Sequence, residues 1–348
     1  MINLNETLSV DKFIEKALYD KDFGYYSQNN PFGKKGDFVT APLISPLFSE
    51  MISVWLISYW IKLGKPKKFA FVELGPGNGA FCKIFCSTVK KFPAFKKSLK
   101  IYLFEKSEKL IKIQKNLIKD KNVVWIKNLS EIKNVPTIFF GNEFFDAIPI
   151  KQFEIKKSEI FEKFLQFEKG KFKKFILKKT SQKMLKKLNE LNLLKKKGVI
   201  EYPQKGLKIL ELIIKKIHKV KGGILLIDYG YIKAQDNDTL QSLKSHKRNI
   251  YYNNIGKADI TFLVNFRLLR KFLLNKKLFL NKIVSQSFFL KRLGIIERAE
   301  ILSNVMSFRE KTDLYYRLER LLSEKKMGKL FKVLFATNKK TKFNLGFE

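Results

Sequence analysis

The stretch Phe71-Val72-Glu73-Leu74-Gly75-Pro76-Gly77-Asn78-Gly79-Ala80 decides the fold class of this 348-residue chain. A short apolar run carrying one acid ends in a turn with three alternate glycines, and Ala80 then opens a helical period reaching about Lys91. A strand that passes through glycines into a helix brings backbone N–H groups close to a ligand, because glycine accepts positive φ and carries no Cβ. The spacing Gly75, Gly77, Ala80 satisfies the dinucleotide fingerprint G-x-G-x-x-G/A. Three features count against a dinucleotide. A further glycine stands at 79, an acid at 73 precedes the turn, and the next acidic strand end, Glu105, lies 30 residues after Gly75 instead of the ~20 expected.

Outward from this turn, apolar runs at 69–74, 101–104, 123–126, 137–140 and 223–227 alternate with helical patterns at 80–91, 109–118 and 207–220. That alternation predicts an α/β fold with a parallel sheet covered on both faces. In open sheets of this kind ligands bind beyond the carboxyl ends of the strands. Those ends fall at Gly75, Glu105, Asn142-Glu143 and Asp228, so one edge gathers three carboxylates. An acid after a strand also caps helices, which accounts for each singly and less well for their joint occurrence. The form E-x-G-x-G-x-G followed by an acidic second strand end is similar to the S-adenosylmethionine (SAM) site of class I methyltransferases. There the glycines admit the amino-acid and ribose portions of the ligand, and the second acid accepts bonds from the ribose hydroxyls. A nucleotide-dependent redox enzyme is the alternative at this point.

Elsewhere the chain is punctuated in the same way. Ser9 caps a short helix to about Tyr19, and Gly24, Pro31, Gly33 and Gly36 mark a loop-rich stretch after it. Ser45-Pro46 opens a strongly apolar helix to about Leu63, with Trp55 and Trp60, that belongs in the core or against another subunit; we favour the core. Residues 156–221 carry 21 basic and 6 acidic residues, with Lys169-Gly170-Lys171 as a hairpin turn and a helix over 182–194; a solvated insertion is the simpler reading. A turn-rich polar region runs to Asp259, followed by helices near 266–274, 288–293 and 312–322 and a strand near 330–335. Cys82 and Cys86, an i, i+4 pair on an apolar stripe without histidine neighbours, read as buried core thiols, so no metal is expected.

Composition excludes several classes. With 45% hydrophobic residues and 33 Phe the chain is globular. Two cysteines exclude a disulfide scaffold. No apolar run reaches the roughly 18 residues of a membrane span. The start Met1-Ile2-Asn3-Leu4-Asn5-Glu6 carries neither a basic n-region nor an Arg-rich presequence, so a cytoplasmic location is expected. The net charge of +38 suggests nucleic acid, yet only eight of the 70 basic residues are Arg, all at or after Arg248. A nucleic-acid binder favours Arg for phosphate forks and base edges. Lys, Ile, Asn and Phe are abundant together, as an AT-rich coding sequence would produce, and no specific nucleic acid is expected.

Four stretches together resemble the MidA family: Gly36-Asp37-Phe38-Val39-Thr40-Ala41-Pro42, Glu73-Leu74-Gly75-Pro76-Gly77, Asn142-Glu143-Phe144-Phe145-Asp146-Ala147-Ile148-Pro149 and Asp228-Tyr229-Gly230-Tyr231. Asp238-Thr239-Leu240-Gln241 with His246, Ala258-Asp259-Ile260-Thr261, Leu293-Gly294-Ile295 and Met327–Leu334 extend the likeness, in order, over nearly the whole chain. The resemblance implies a Rossmann-like class I SAM-dependent methyltransferase core with an N-terminal helical extension and an inserted α+β region. The extension is expected over 1–66, contributing to the active site. The core follows at 67–348, with the insertion at about 151–205 and an active-site loop region at about 229–262. The family includes a mitochondrial complex I assembly factor that is a protein arginine methyltransferase, which implies SAM as methyl donor, an arginine of a complex I subunit as acceptor, and symmetric dimethylation. Leu43, Asn78 and Asn265 depart from the common Glu or Gln, Arg and Asp of the family, which puts acceptor specificity in doubt before cofactor binding.

An arginine acceptor is a cation, so carboxylates suit it as a planar fork. Glu143 is the first candidate, with Asp146 three residues on if a helical turn begins there, then Asp37 and Asp228. His246 is a candidate for moving the guanidinium proton, and a surface loop histidine is its alternative. Glu73, Gly75, Gly77, Gly79, Glu105, Asn142 and Thr40 are expected at the cofactor. Two other functions stay open: a methyltransferase acting on RNA or DNA, and an assembly chaperone that binds SAM without needing catalysis. The oligomeric state is open too, with a homodimer among the choices.

Overall fold

Six apolar runs between residues 69 and 337 pair into one sheet, and their burial follows from pairing on both sides and cover on both faces. The computed structural model describes residues 5–28, 40–244 and 247–348. The strands are β1 (Phe69–Leu74), β2 (Leu99–Phe104), β3 (Val123–Ile126), β4 (Thr137–Asn142), β5 (Gly222–Tyr231) and β6 (Phe331–Thr337). Their order is β3-β2-β1-β4-β5-β6, with the two-residue strand Phe279–Leu280 beyond β6. The first five are parallel, as the alternation predicts, and β6 runs antiparallel to β5 with Gly223 opposite Thr337 and Tyr229 opposite Phe331. Strand order reverses between β1 and β4, which makes their carboxyl ends the topological switch point.

The chain divides into two compact units, and this sheet belongs to the one formed by Val39–Phe144, Leu212–Gly230 and Leu273–Glu348. Its helices begin where the sequence caps them. Ser45 accepts from the Leu47 N–H at 3.3 Å and Pro46 stands at the first position of helix Pro46–Lys62. That helix is apolar nearly all round because it is enclosed within this chain. Trp55 is fully buried against Tyr59, Phe335 and Phe343, and its indole donates to the Leu345 carbonyl at 3.0 Å. Phe71, Phe81, Phe85 and Phe140 form a second aromatic cluster between the sheet and helix Ala80–Val89. Cys82 and Cys86 are buried on that helix, their sulfurs 3.9 Å apart.

The other unit comprises Met1–Phe38, Phe145–Glu211 and Tyr231–Phe272. The boundary expected at residue 66 therefore falls inside the sheet unit, and the described residues 5–28 belong with the inserted region instead. The reason is a strand the sequence reading lacks. Asn5–Ser9 pairs antiparallel with Glu159–Glu168, Asn5 opposite Glu168, which carries the following helix Val10–Tyr19 with it. Lys151–Lys156, Glu159–Glu168, Lys171–Lys179 and Gly198–Tyr202 complete that sheet, and the hairpin at Lys169-Gly170 turns as its sequence predicts. Among the described residues no helix is long and apolar enough to cross a membrane.

Candidate cofactor and acceptor site

β1 is buried along its whole length, Glu73 included, so the acid is carried inward by the apolar strand around it. The turn that follows has Gly75, Gly77 and Gly79 at φ of 62°, 55° and 87°, values that side chains rarely adopt. A Cβ on Gly75 would lie 2.8 Å from the Phe144 ring, and one on Gly79 would lie 3.0 Å from Ile118. The turn is thus closed by neighbours that leave room for backbone alone. Asn78, the departure from the family's Arg, accepts from the Ala80 N–H at 3.1 Å and helps to start the helix.

Two buried atoms at the switch point have no hydrogen-bond partner among the described residues: Glu73 Oε2 and Asn142 Oδ1. Buried polar atoms are nearly always paired, so these two orphans at the ends of β1 and β4 are candidate ligand contacts. Burial, with Cys86 and Glu105 nearby, holds the Glu73 carboxyl well above its usual range. Glu105 follows β2 directly. Its Oε1 accepts from the Lys106 and Ser107 N–H groups at 2.7 and 2.8 Å, and its Oε2 is left with one long contact, 3.4 Å from Gln114 Nε2. Desolvation raises its pKa, opposed by the bonds from Ser107, Lys106 and Gln114. A cradle that a Cβ would fill, flanked by acceptor atoms with capacity to spare, fits the amino and hydroxyl groups of SAM.

Glu143 closes the other side of the switch point. It is a non-glycine residue at φ 51°, a conformation that costs of order 1 kcal/mol or more. Its Oε1 accepts from the Ala41 N–H at 3.3 Å and from Asn142 Nδ2 at 3.0 Å. The carboxylate is therefore held by the residue after Thr40, and Thr40 itself starts the short helix Ala41–Ile44, its carbonyl accepting from Leu43 and Ile44. Glu73, the three glycines, Glu105, Asn142, Glu143 and Thr40 all belong to the sheet unit.

Other expected residues are placed differently. β5 does not end at Asp228 but runs on to Tyr231, because pairing with β6 continues through Tyr229 opposite Phe331. Asp228 is thus an interior strand residue, 2% exposed, accepting from the Tyr229 N–H at 2.9 Å. No helical turn begins at Asp146. It is buried in a turn of the other unit, where the Ile148 N–H donates to the Phe145 carbonyl and Pro149 stops any helix. Asp37 and His246 lie outside the described residues. Among the described residues no group of three or more His, Cys, Asp or Glu is arranged to hold a metal. The sequence reading missed Gln114, fully buried beneath the glycine turn, although an amide on the apolar stripe of Leu110, Ile111 and Ile118 was a visible signal.

A family model of S-adenosyl-L-methionine-dependent methyltransferases matches residues 51–283. The chain is 27% identical over 356 residues to the mitochondrial protein arginine methyltransferase NDUFAF7 of Danio rerio, covering 95% of this chain and 83% of that protein. It is 28% identical to the Homo sapiens NDUFAF7, covering 93% and 78%. A Burkholderia thailandensis protein solved with bound S-adenosyl-homocysteine superposes with a TM-score of 0.80 at 21% identity, covering 98% of this chain and 89% of that one, and so has the same fold.

Proposed function

Because the chain belongs to the MidA-like family of SAM-dependent methyltransferases, we propose that it methylates an arginine side chain of a protein, a respiratory complex I subunit being the acceptor that the resemblance implies. The arginine methyltransferases among its relatives support this reading, and the observation that carries it is the mounting of Glu143. A carboxylate at φ 51°, with one oxygen tied to Ala41 and Asn142, is held in one direction at the end of β4. Such pre-orientation suits a cation whose position must be set before reaction.

When bound, SAM supplies an electrophilic methyl group. The acceptor guanidinium keeps its charge at any ordinary pH, with a pKa above about 12. A neutral pocket would not draw such a group out of water. Glu143 would take it through a charge-assisted hydrogen bond and hold one nitrogen toward the methyl donor. Methylation of one nitrogen would cleave the methyl–sulfur bond of SAM and release one guanidinium proton to solvent. Glu73 and Asn142 receive the amino-acid portion of SAM, and Glu105 the ribose.

The test is methyl transfer from labelled SAM into a lysate of the source organism. Label in one protein, mapped to arginine, is expected. Glu143→Gln should lower transfer at least about 100-fold, in the range of one transition-state donor or acceptor, while S-adenosyl-homocysteine still binds. Label confined to an RNase-sensitive fraction would overturn the proposal in favour of a nucleic-acid acceptor. Full biological activity of a variant that transfers no methyl would favour the chaperone.

A further inference from the structure

Gln114 is buried without any exposed surface on helix Glu108–Leu117, among residues that pack through carbon. An amide in such a place costs free energy unless each polar atom is paired. All of its polar groups are engaged, and by three different elements. Nε2 donates to the Gly77 carbonyl at 2.7 Å and to Glu105 Oε2 at 3.4 Å, while Oε1 accepts from the Trp125 indole at 2.8 Å. Gly77 lies in the glycine turn, Glu105 follows β2, and Trp125 lies on β3. The same side chain lies 3.3 Å from where a Cβ on Gly79 would stand. A leucine or methionine would fill this volume as well, so packing alone does not account for an amide.

We infer that Gln114 is a positioning residue for the cofactor: it fixes the glycine turn and the Glu105 carboxylate at one separation, so that the ribose meets both at once. This rests on the assignment of Glu105 to the ribose and is independent of the methyl acceptor. Glu105 Oε1 is occupied by its own backbone neighbours, which leaves Oε2 for the ligand. Among the described residues Gln114 is the side chain whose amide reaches this oxygen, and its bond also favours the ionised carboxylate. The Trp125 bond sets which end of the amide points at the turn, because an indole N–H only donates.

Binding of S-adenosyl-homocysteine by calorimetry between pH 6 and 8.5 tests this, with thermal unfolding of each variant recorded beside it. Glu105→Gln should weaken binding at least tenfold; unchanged binding would remove the ribose assignment and this inference with it. Gln114→Glu keeps the acceptor for Trp125 but places a carboxylate against the Gly77 carbonyl and Glu105. It should bind at least 30-fold more weakly at pH 8.5 and regain at least tenfold on acidification to pH 6, as the introduced carboxyl takes up a proton and donates again. Gln114→Met should bind at least tenfold more weakly with no such pH profile. A role confined to holding the fold would lower the melting temperature of both Gln114 variants and leave the pH profile of binding as in the wild type. That outcome, or wild-type affinity in Gln114→Glu at pH 8.5 while Glu105→Gln is impaired, overturns the inference and leaves the Glu105 assignment standing.

Discussion

Glu73 in the sheet unit and Glu201 in the other unit are almost equally inaccessible, 5% and 6% exposed, yet they are provided for in opposite ways. Glu201 is saturated. Its Oε1 accepts from the Thr239 N–H at 2.9 Å and from Gln152 Nε2 at 3.1 Å, and its Oε2 accepts from the Thr239 hydroxyl at 2.6 Å. Gln152 also donates to Asp238 at 2.6 Å, so the carboxylate fastens a distant loop to its sheet. Glu73 has Oε2 buried with no partner among the described residues, beside a turn that only backbone can occupy. The contrast separates two uses of a buried charge. A saturated carboxyl is a fastening, whereas one with an open acceptor beside the glycine turn is a candidate ligand contact.

The largest effect expected from this contrast lies in the pH dependence of stability. Burial raises Glu201 from an ordinary value of 4.5 to about 7, outweighing the bonds from Thr239 and Gln152. The folded state therefore holds this proton more tightly than the unfolded chain. The associated stability is full below pH 4.5, is lost as pH rises to about 7, and stays lost above it. The loss amounts to at most about 3 kcal/mol. Denaturant titrations across pH 4.5–8 should show the decline, and Glu201→Gln should flatten it; an unchanged slope in that variant would mean Glu201 is not its source. Glu73→Gln should behave otherwise. It removes a buried, unpaired carboxyl, so stability should hold or rise, while affinity for S-adenosyl-homocysteine falls about tenfold, or ~1.4 kcal/mol. Equal loss of stability in both variants would erase the distinction between fastening and site.

The smallest effect belongs to an exposed charge. Arg317 is one of the eight arginines, and it uses its fork: Nη2 pairs with Asp313 at 2.7 Å while Nη1 donates to the Ile44 carbonyl at 3.4 Å. Its side chain is 41% exposed, so screening leaves little net energy. Arg317→Lys should cost no more than about 0.5 kcal/mol by urea unfolding. A loss as large as that from a buried group would place this arginine with the fastenings.

Much of the sheet unit was legible because its signals are local. The strand, glycine turn and helix over 69–89 occupy contiguous residues, and Ser45 caps its helix where the sequence places it; in the other unit Ser9 stands at the N-cap position, but its hydroxyl donates to Asp11 instead of capping the helix. Strands bound by distant partners were not legible. Asn5–Ser9 has no hydrophobic alternation to mark it and is a strand only because Glu159–Glu168 lies alongside. The end of β5 was misread for the same reason, since its last residues are extended by pairing with β6, more than 90 residues later in the chain.

By itself the sequence determined the glycine turn, the order of strand and helix around it and the acids that follow β2 and β4, since each depends on residues within one or two turns of each other. Only the tertiary structure decided which acids remain open. Glu73 and Glu201 are both glutamates at the ends of apolar runs; the glycine turn after Glu73 sets it apart in sequence, yet nothing nearby in sequence shows which of the two keeps an unpaired oxygen. Their difference lies in partners 38 and 49 residues away for Glu201, and in the absence of any among the described residues for one oxygen of Glu73. Whether a buried acceptor is satisfied depends on what folding brings to it, and that is a property of three dimensions.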